Sequence, residues 1–298
     1  MNIKLGVSKD IVKKIFGKKD NATLFLDAVG VATSSRISAD EAYDLIVSHW
    51  NYQRVLSFTR DVFTKTKKYQ QGKGAYDAMN YLLGEWEKMG FQRVAWPFSQ
   101  GDFDGFVQRI NAEKSDGTMK DDKVRDAAVR YRRIKEINTL RNDFIETFIF
   151  EKNKNIIPTL SHRRGVDFFI DGEQFDQKVS ASPTNQFIQK FGRGESYVRS
   201  DLFLAKDQDR DDQWKQVAIE NPGLVAQYLY TYQDEGRFGA DPRLFIVYID
   251  EGIAAKRIQE IINATDLTHP MDVRFEYRHK DLGVKEYTTK CFVILLYN

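Results

Sequence analysis

The chain has one cysteine, four histidines and no long apolar run. A single thiol, Cys291, excludes an internal disulfide and any cysteine-rich zinc site. Set in Cys291-Phe292-Val293-Ile294-Leu295-Leu296, it reads as a buried core group and not as a nucleophile. His49, His162, His269 and His279 are scattered without zinc-ligand spacing. No stretch approaches the roughly 18 apolar residues of a membrane span. The start, Met1-Asn2-Ile3-Lys4-Leu5, lacks the apolar core of a secretion signal, so the expectation is a cytoplasmic protein with no membrane partner. Walker loop, Rossmann fingerprint, nucleophile elbow and internal repeat are all missing, which narrows the enzyme classes. An excess of one charge is missing too: 45 Lys and Arg stand against 43 Asp and Glu, so any phosphate-binding surface has to be local.

What is present, in 298 residues with a hydrophobic fraction of 42%, is enough to bury a sizeable core in one elaborated domain or two. The most informative stretch runs from Arg163 to Val179. Two short runs rich in Phe, Ile and Val flank Asp171-Gly172, a dipeptide that tolerates the positive φ of a two-residue hairpin turn. Counting outward from that turn sets Ile170 against Glu173, Phe169 against Gln174, Phe168 against Phe175 and Asp167 against Asp176. Lys178, two residues beyond Asp176, then lies on the side of both acids, while Val166, Phe168, Ile170, Phe175 and Val179 form the other face. Opposed carboxylates repel at cross-strand distance, so something has to compensate them. A hard divalent cation such as Mg²⁺ would do so. The alternative is a plain surface ion pair among Asp167, Asp176 and Lys178, which stabilises by about 0 to 1 kcal/mol. A second Asp-x-Lys, Asp121-Asp122-Lys123, lies in a polar stretch without a strand pattern and is set aside.

An acid, a hairpin and then acid-x-Lys, here Asp167 and Asp176-Gln177-Lys178, resembles the signature of the PD-(D/E)xK nuclease superfamily, with Val166 where the nominal pattern has Pro. The resemblance covers roughly residues 140 to 250. It implies an α/β fold of the restriction-endonuclease-like kind, an α/β/α core with a mixed central sheet. By resemblance, Asp167 and Asp176 would be Mg²⁺ ligands with the Gln177 carbonyl as a third, and Lys178 would position the attacking water. Glu146 matches the place from which a helix ahead of the hairpin commonly supplies another acid; an ordinary solvated glutamate stays open there, and Glu151 is a weaker rival. The implied function is a Mg²⁺-dependent endodeoxyribonuclease, foremost a type II site-specific restriction enzyme of a restriction-modification system, acting on double-stranded DNA as a homodimer. A repair or recombination nuclease of the same superfamily, and a non-catalytic DNA-binding protein of the same fold, are the alternatives.

Along the chain, residues 1–111 read as a mainly helical region able to carry DNA-recognition elements. Ser38-Ala39-Asp40-Glu41 is a capping box opening a helix over 39–50, and further helices are predicted over 54–68, 76–89 and 102–110. Phe91 to Phe98 suggests a short strand. The polar stretch 112–123 is predicted as linker or loop, separating the first region from a nuclease-like core over 124–298. Apolar residues from Val124 to Phe148 recur at three- and four-residue steps, the longest helical pattern in the chain. Past the hairpin, Lys190, Arg193 and Arg199 mingle with Gly192, Gly194 and aromatic residues, a composition suited to DNA. With Arg163, Arg164, Lys67 and Lys68 these are the residues expected at DNA, although the lysine-rich tail 65–74 also reads as a solvated helix end. A helix over 213–233 restarting at Pro222, a buried strand over 244–249, a helix over 254–264 and an antiparallel pair of final strands complete the expectation.

Overall fold

The computed structural model describes residues 7–34, 36–88, 100–163, 165–181, 207–233, 235–250 and 253–298. Its helices are α1 Lys9–Phe16, α2 Lys19–Ala28, α3 Ala39–Ser48, α4 Tyr52–Thr64, α5 Lys67–Lys88, α6 Gln100–Ala112, α7 Gly117–Lys152, α8 Asp207–Glu220, α9 Pro222–Tyr232 and α10 Ala255–Ala264, with a 3₁₀ turn at Glu235–Phe238. The strands are β1 Ile156–Arg163, β2 Val166–Ile170, β3 Glu173–Ala181, β4 Arg243–Tyr248, β5 Met271–His279 and β6 Gly283–Leu296. The six lie in one sheet in the order β1-β2-β3-β4-β6-β5. Pairing is antiparallel on the β1-β2-β3 side, parallel through β3-β4-β6, and antiparallel again at β5. The fold is therefore mixed α and β around an open mixed sheet.

Three layers follow from which strand residues point where. Phe168, Ile170, Phe175, Leu244, Ile246 and Phe292 face α5, α7 and α10 on one side. Phe245, Val247, Cys291 and Phe275 face α8 and α9 on the other. On that second side the β1-β2 end is covered by α1 to α4, through Phe16, Phe25 and Val55 against Ile157, Val166 and Phe169. Each such side chain removed from water contributes about 1.5 to 3 kcal/mol. Val166 thus leaves the face expected for it: next to Gly165, at φ +89°, the β1-β2 pairing is irregular, and Val166 packs with the helices α1 to α4 and not with Phe168.

Several helical expectations shift. Ser38 does form both halves of the capping box, giving Glu41 its side-chain bond and accepting one in return from the Glu41 N–H. The helices expected over 54–68 and 76–89 are instead Tyr52–Thr64 and a single α5 that absorbs the lysine-rich tail from Lys67 onward. The linker expected over 112–123 shrinks to 113–116, because the Asp116 carboxylate accepts the Thr118 N–H at 2.8 Å and starts α7 at Gly117. The final strands pair antiparallel as expected, with Met271 against Cys291 at one end and His279 against Gly283 at the other. The strand expected over 91–98 lies outside the described residues.

One glycine fixes how two of these helices meet. A methyl group at Gly72 of α5 would overlap the Thr147 hydroxyl and the Asp143 carbonyl of α7, so only glycine permits the crossing. One helical turn earlier on α5 is Lys68, which the crossing sets against Glu146 of α7.

Candidate functional site

The hairpin closes as counted. Asp171 and Gly172 have φ of +50° and +89°, the two positive values a type I′ turn requires, and the ladder pairs Ile170 with Glu173, Phe169 with Gln174 and Phe168 with Phe175. There the described ladder stops, one position short of the two acids. Instead of a ladder partner, the Asp167 carboxylate accepts the backbone N–H of Gln177 at 2.7 Å. This ties it to β3 beside Asp176.

Asp176 is buried, and its carboxylate sits 3.3 Å from the Lys178 ammonium, as strand alternation places it. Its stronger partner was not expected. Arg243, the first residue of β4 and only 1% exposed, puts its guanidinium on the Asp176 carboxylate, with Glu235 of the 3₁₀ turn at 3.7 Å on its other side. The buried side chain has a lowered pKa because it is desolvated, and the nearby charge of Asp167 works against that shift. A charge at the head of the apolar run Leu244-Phe245-Ile246-Val247 was the signal available for it, since a buried cation needs an acid.

On the α7 side, Glu146 is no solvated glutamate. Its side chain is 17% exposed and meets the Lys68 ammonium at 2.5 Å. Burial pushes its carboxyl above the ordinary glutamate range, Lys68 pulls it back, and Asp167 and Asp143 push it up again. Glu146 and Asp167 line one small cleft together with Phe63, Ile149, Phe150 and Phe168. Glu151 lies apart, accepting the Tyr69 hydroxyl at 2.6 Å with Lys73 at 3.7 Å. Desolvation, helped by Glu151, raises that tyrosine to about 12.

The residues expected at DNA divide. Lys68 has its charge committed to Glu146, while Lys67 is exposed at the start of α5. Arg163 ends β1, and Arg164, Lys190, Arg193 and Arg199 lie outside the described residues. Cys291 is fully buried, its thiol raised to about 12 by desolvation, in keeping with a core role.

Whether the group fits a hard divalent cation is a matter of charge and donor type. Asp167, Asp176 and Glu235 are three carboxylates set among two side-chain cations, Arg243 and Lys178, and Glu146 adds a fourth carboxylate beside Asp167 together with its own counter-ion, Lys68. The Gln177 side-chain oxygen is buried and has no hydrogen-bond partner among the described residues. These are oxygen donors, the type that suits Mg²⁺ or Mn²⁺. Among the described residues no three acids converge on one point, and Asp176 is the donor already engaged. Comparison with protein-family models, with curated proteins and with solved structures gave no match.

Proposed function

We propose that the chain is a divalent-cation-dependent DNA endonuclease, in the first place a type II restriction enzyme working as a homodimer on a two-fold symmetric site. The observation that carries this reading is the junction of β2 and β3. An in-register hairpin brings Asp167, through the Gln177 N–H, beside Asp176 and Lys178, and the preceding long helix adds Glu146 to the same neighbourhood. The element order supports it as well: a long helix, a three-strand antiparallel unit, a crossover containing α8 and α9, and a fully buried parallel strand.

Asp167 and Asp176 would hold the cation, with Glu146 in the cleft beside Asp167. When bound, it supplies a lowered pKa for the attacking water and positive charge for the phosphate oxygens. The protein's own part is positional. The Gln177 N–H fixes the Asp167 carboxylate, leaving its other oxygen for a ligand. Lys178, about a third exposed, reaches solvent from the Asp176 side and can hold a water or a phosphate oxygen by its ammonium. The apolar wall of Phe63, Phe150 and Phe168 limits water around Glu146 and strengthens every charge interaction there.

The test is cleavage of supercoiled plasmid in Mg²⁺ by the native chain and by the variants Asp167→Ala and Lys178→Ala. Cutting by the native chain alone is expected; equal cutting by both variants overturns the assignment. Discrete fragments favour restriction, and a smear favours unspecific or repair-type cleavage. The Arg243–Asp176 pair favours a second reading, a DNA-binding protein without cleavage, because that carboxylate already has its counter-charge. Binding of DNA without any cut in Mg²⁺ or Mn²⁺ would select it.

A further inference from the structure

Arg243 has no place in the nuclease reading as it stands, yet it is the most deeply buried charge at the site. Its guanidinium lies between two carboxylates, Asp176 in contact and Glu235 at 3.7 Å, and its Nε is buried with no hydrogen-bond partner among the described residues. A carboxylate cannot satisfy an adjacent guanidinium and a divalent cation equally in a dry pocket, since the two cations repel each other strongly at low effective dielectric. Asp176 is therefore contested. Glu235, whose buried Oε2 lies 3.7 Å from the guanidinium, gives it somewhere else to go.

We propose that Arg243 is the resident counter-ion of Asp176, and that a divalent cation enters the site by displacing its guanidinium toward Glu235. The inference rests on the nuclease reading for the identity of the ligand. It makes metal affinity a property of β4 and the 3₁₀ turn as much as of the hairpin.

The experiment is calorimetric titration of the full chain with Mn²⁺ alone, joined to thermal melts with and without Mn²⁺. Arg243→Gln is expected to bind Mn²⁺ about tenfold more tightly than the native chain, the low end of what a neighbouring charge does to a carboxylate's affinity for a proton. Its melting temperature should be lower than native without metal and rise further on adding it. Equal or weaker binding by Arg243→Gln overturns the proposal. Should that variant not fold in metal-free buffer, refolding by Mn²⁺ but not by sodium chloride of equal ionic strength supports the proposal, and no refolding overturns it.

Glu235→Gln, which leaves Arg243 on Asp176 but removes the negative charge of the alternative acceptor, is expected to weaken Mn²⁺ binding severalfold. The same change in the Arg243→Gln background should have no effect, a coupling that a general loss of negative charge would not produce. Identical effects in both backgrounds sink the displacement step. A native chain that cuts plasmid while Arg243→Gln binds no more tightly leaves the nuclease reading standing without the counter-ion. Native chain and variant that neither bind Mn²⁺ nor cut DNA remove both.

Discussion

Two ion pairs flank the hairpin acids, Lys68 with Glu146 and Arg243 with Asp176, and they have the same formal charges in unlike surroundings. Lys68 keeps 31% of its side chain exposed and Glu146 17%, whereas Arg243 keeps 1% and Asp176 10%. Water can take over for Lys68 when its partner is lost, and for Glu146 only in part. For the second pair it cannot, so each ion there is as costly alone as it is useful in company. The lesson is that the two cations were placed by different needs: Lys68 offsets a carboxylate that burial has made reluctant to ionise, while Arg243 joins β3 to β4 at the first rung of their parallel ladder.

The contrast can be broken at its strong end first. Arg243→Ala leaves Asp176 buried without its main counter-charge and is expected to lower stability by about 3 to 5 kcal/mol in urea denaturation without added metal. A loss under about 1 kcal/mol would mean that Lys178 alone satisfies Asp176.

Next in size is the platform of the weaker pair. Gly72→Ala has to push α5 away from the Asp143 carbonyl and the Thr147 hydroxyl, a clash with backbone that side-chain motion alone does not relieve. The expected loss is about 1 to 3 kcal/mol. Gly74→Ala, two residues on in the same helix with nothing near the added methyl, should be neutral or stabilising by up to about 1 kcal/mol. Equal effects at the two positions would refute the close crossing.

The smallest effect is at Lys68 and depends on pH. Glu146 has a raised carboxyl in the folded chain, so its contribution to stability is fully present below the ordinary glutamate value and is lost as pH rises through the folded one. Lys68→Met removes the charge that holds this rise in check, widening the window upward. Denaturation at pH 4 should show almost no difference from the native chain, and at pH 7 a loss of about 1 kcal/mol. A loss larger at pH 4 than at pH 7 would contradict the environment assigned to Glu146.

The parts legible in the sequence are those specified by neighbours in the chain. Asp171-Gly172 announces its own turn because backbone sterics restrict positive φ to few residues, and the register to Phe168 and Phe175 follows by counting. Ser38 and Glu41 announce a helix start for the same local reason. What stayed hidden is set by distance. Nothing near Lys68 in sequence says that Gly72 will bring it to Glu146, and nothing in the hairpin names Arg243. β1 is not legible in the sequence because Ile156-Ile157-Pro158-Thr159-Leu160 contains a proline, which only a sheet edge tolerates. Ser115-Asp116-Gly117 favours turns and so reads as loop, and the helix that Asp116 caps overrides that preference.

The parallel ladder between β3 and β4 begins at Asp176 and Arg243, residues separated by a long crossover, whereas the hairpins β2-β3 and β5-β6 close between near neighbours. Hairpins of that kind form in about 1 to 10 μs, while the crossover has to fold back before its ladder gains any contact. The guanidinium is therefore among the last groups to be seated. Losing it should leave the speed of folding almost unchanged and show in how fast the sheet comes apart, which makes Arg243 a determinant of the folded chain's lifetime.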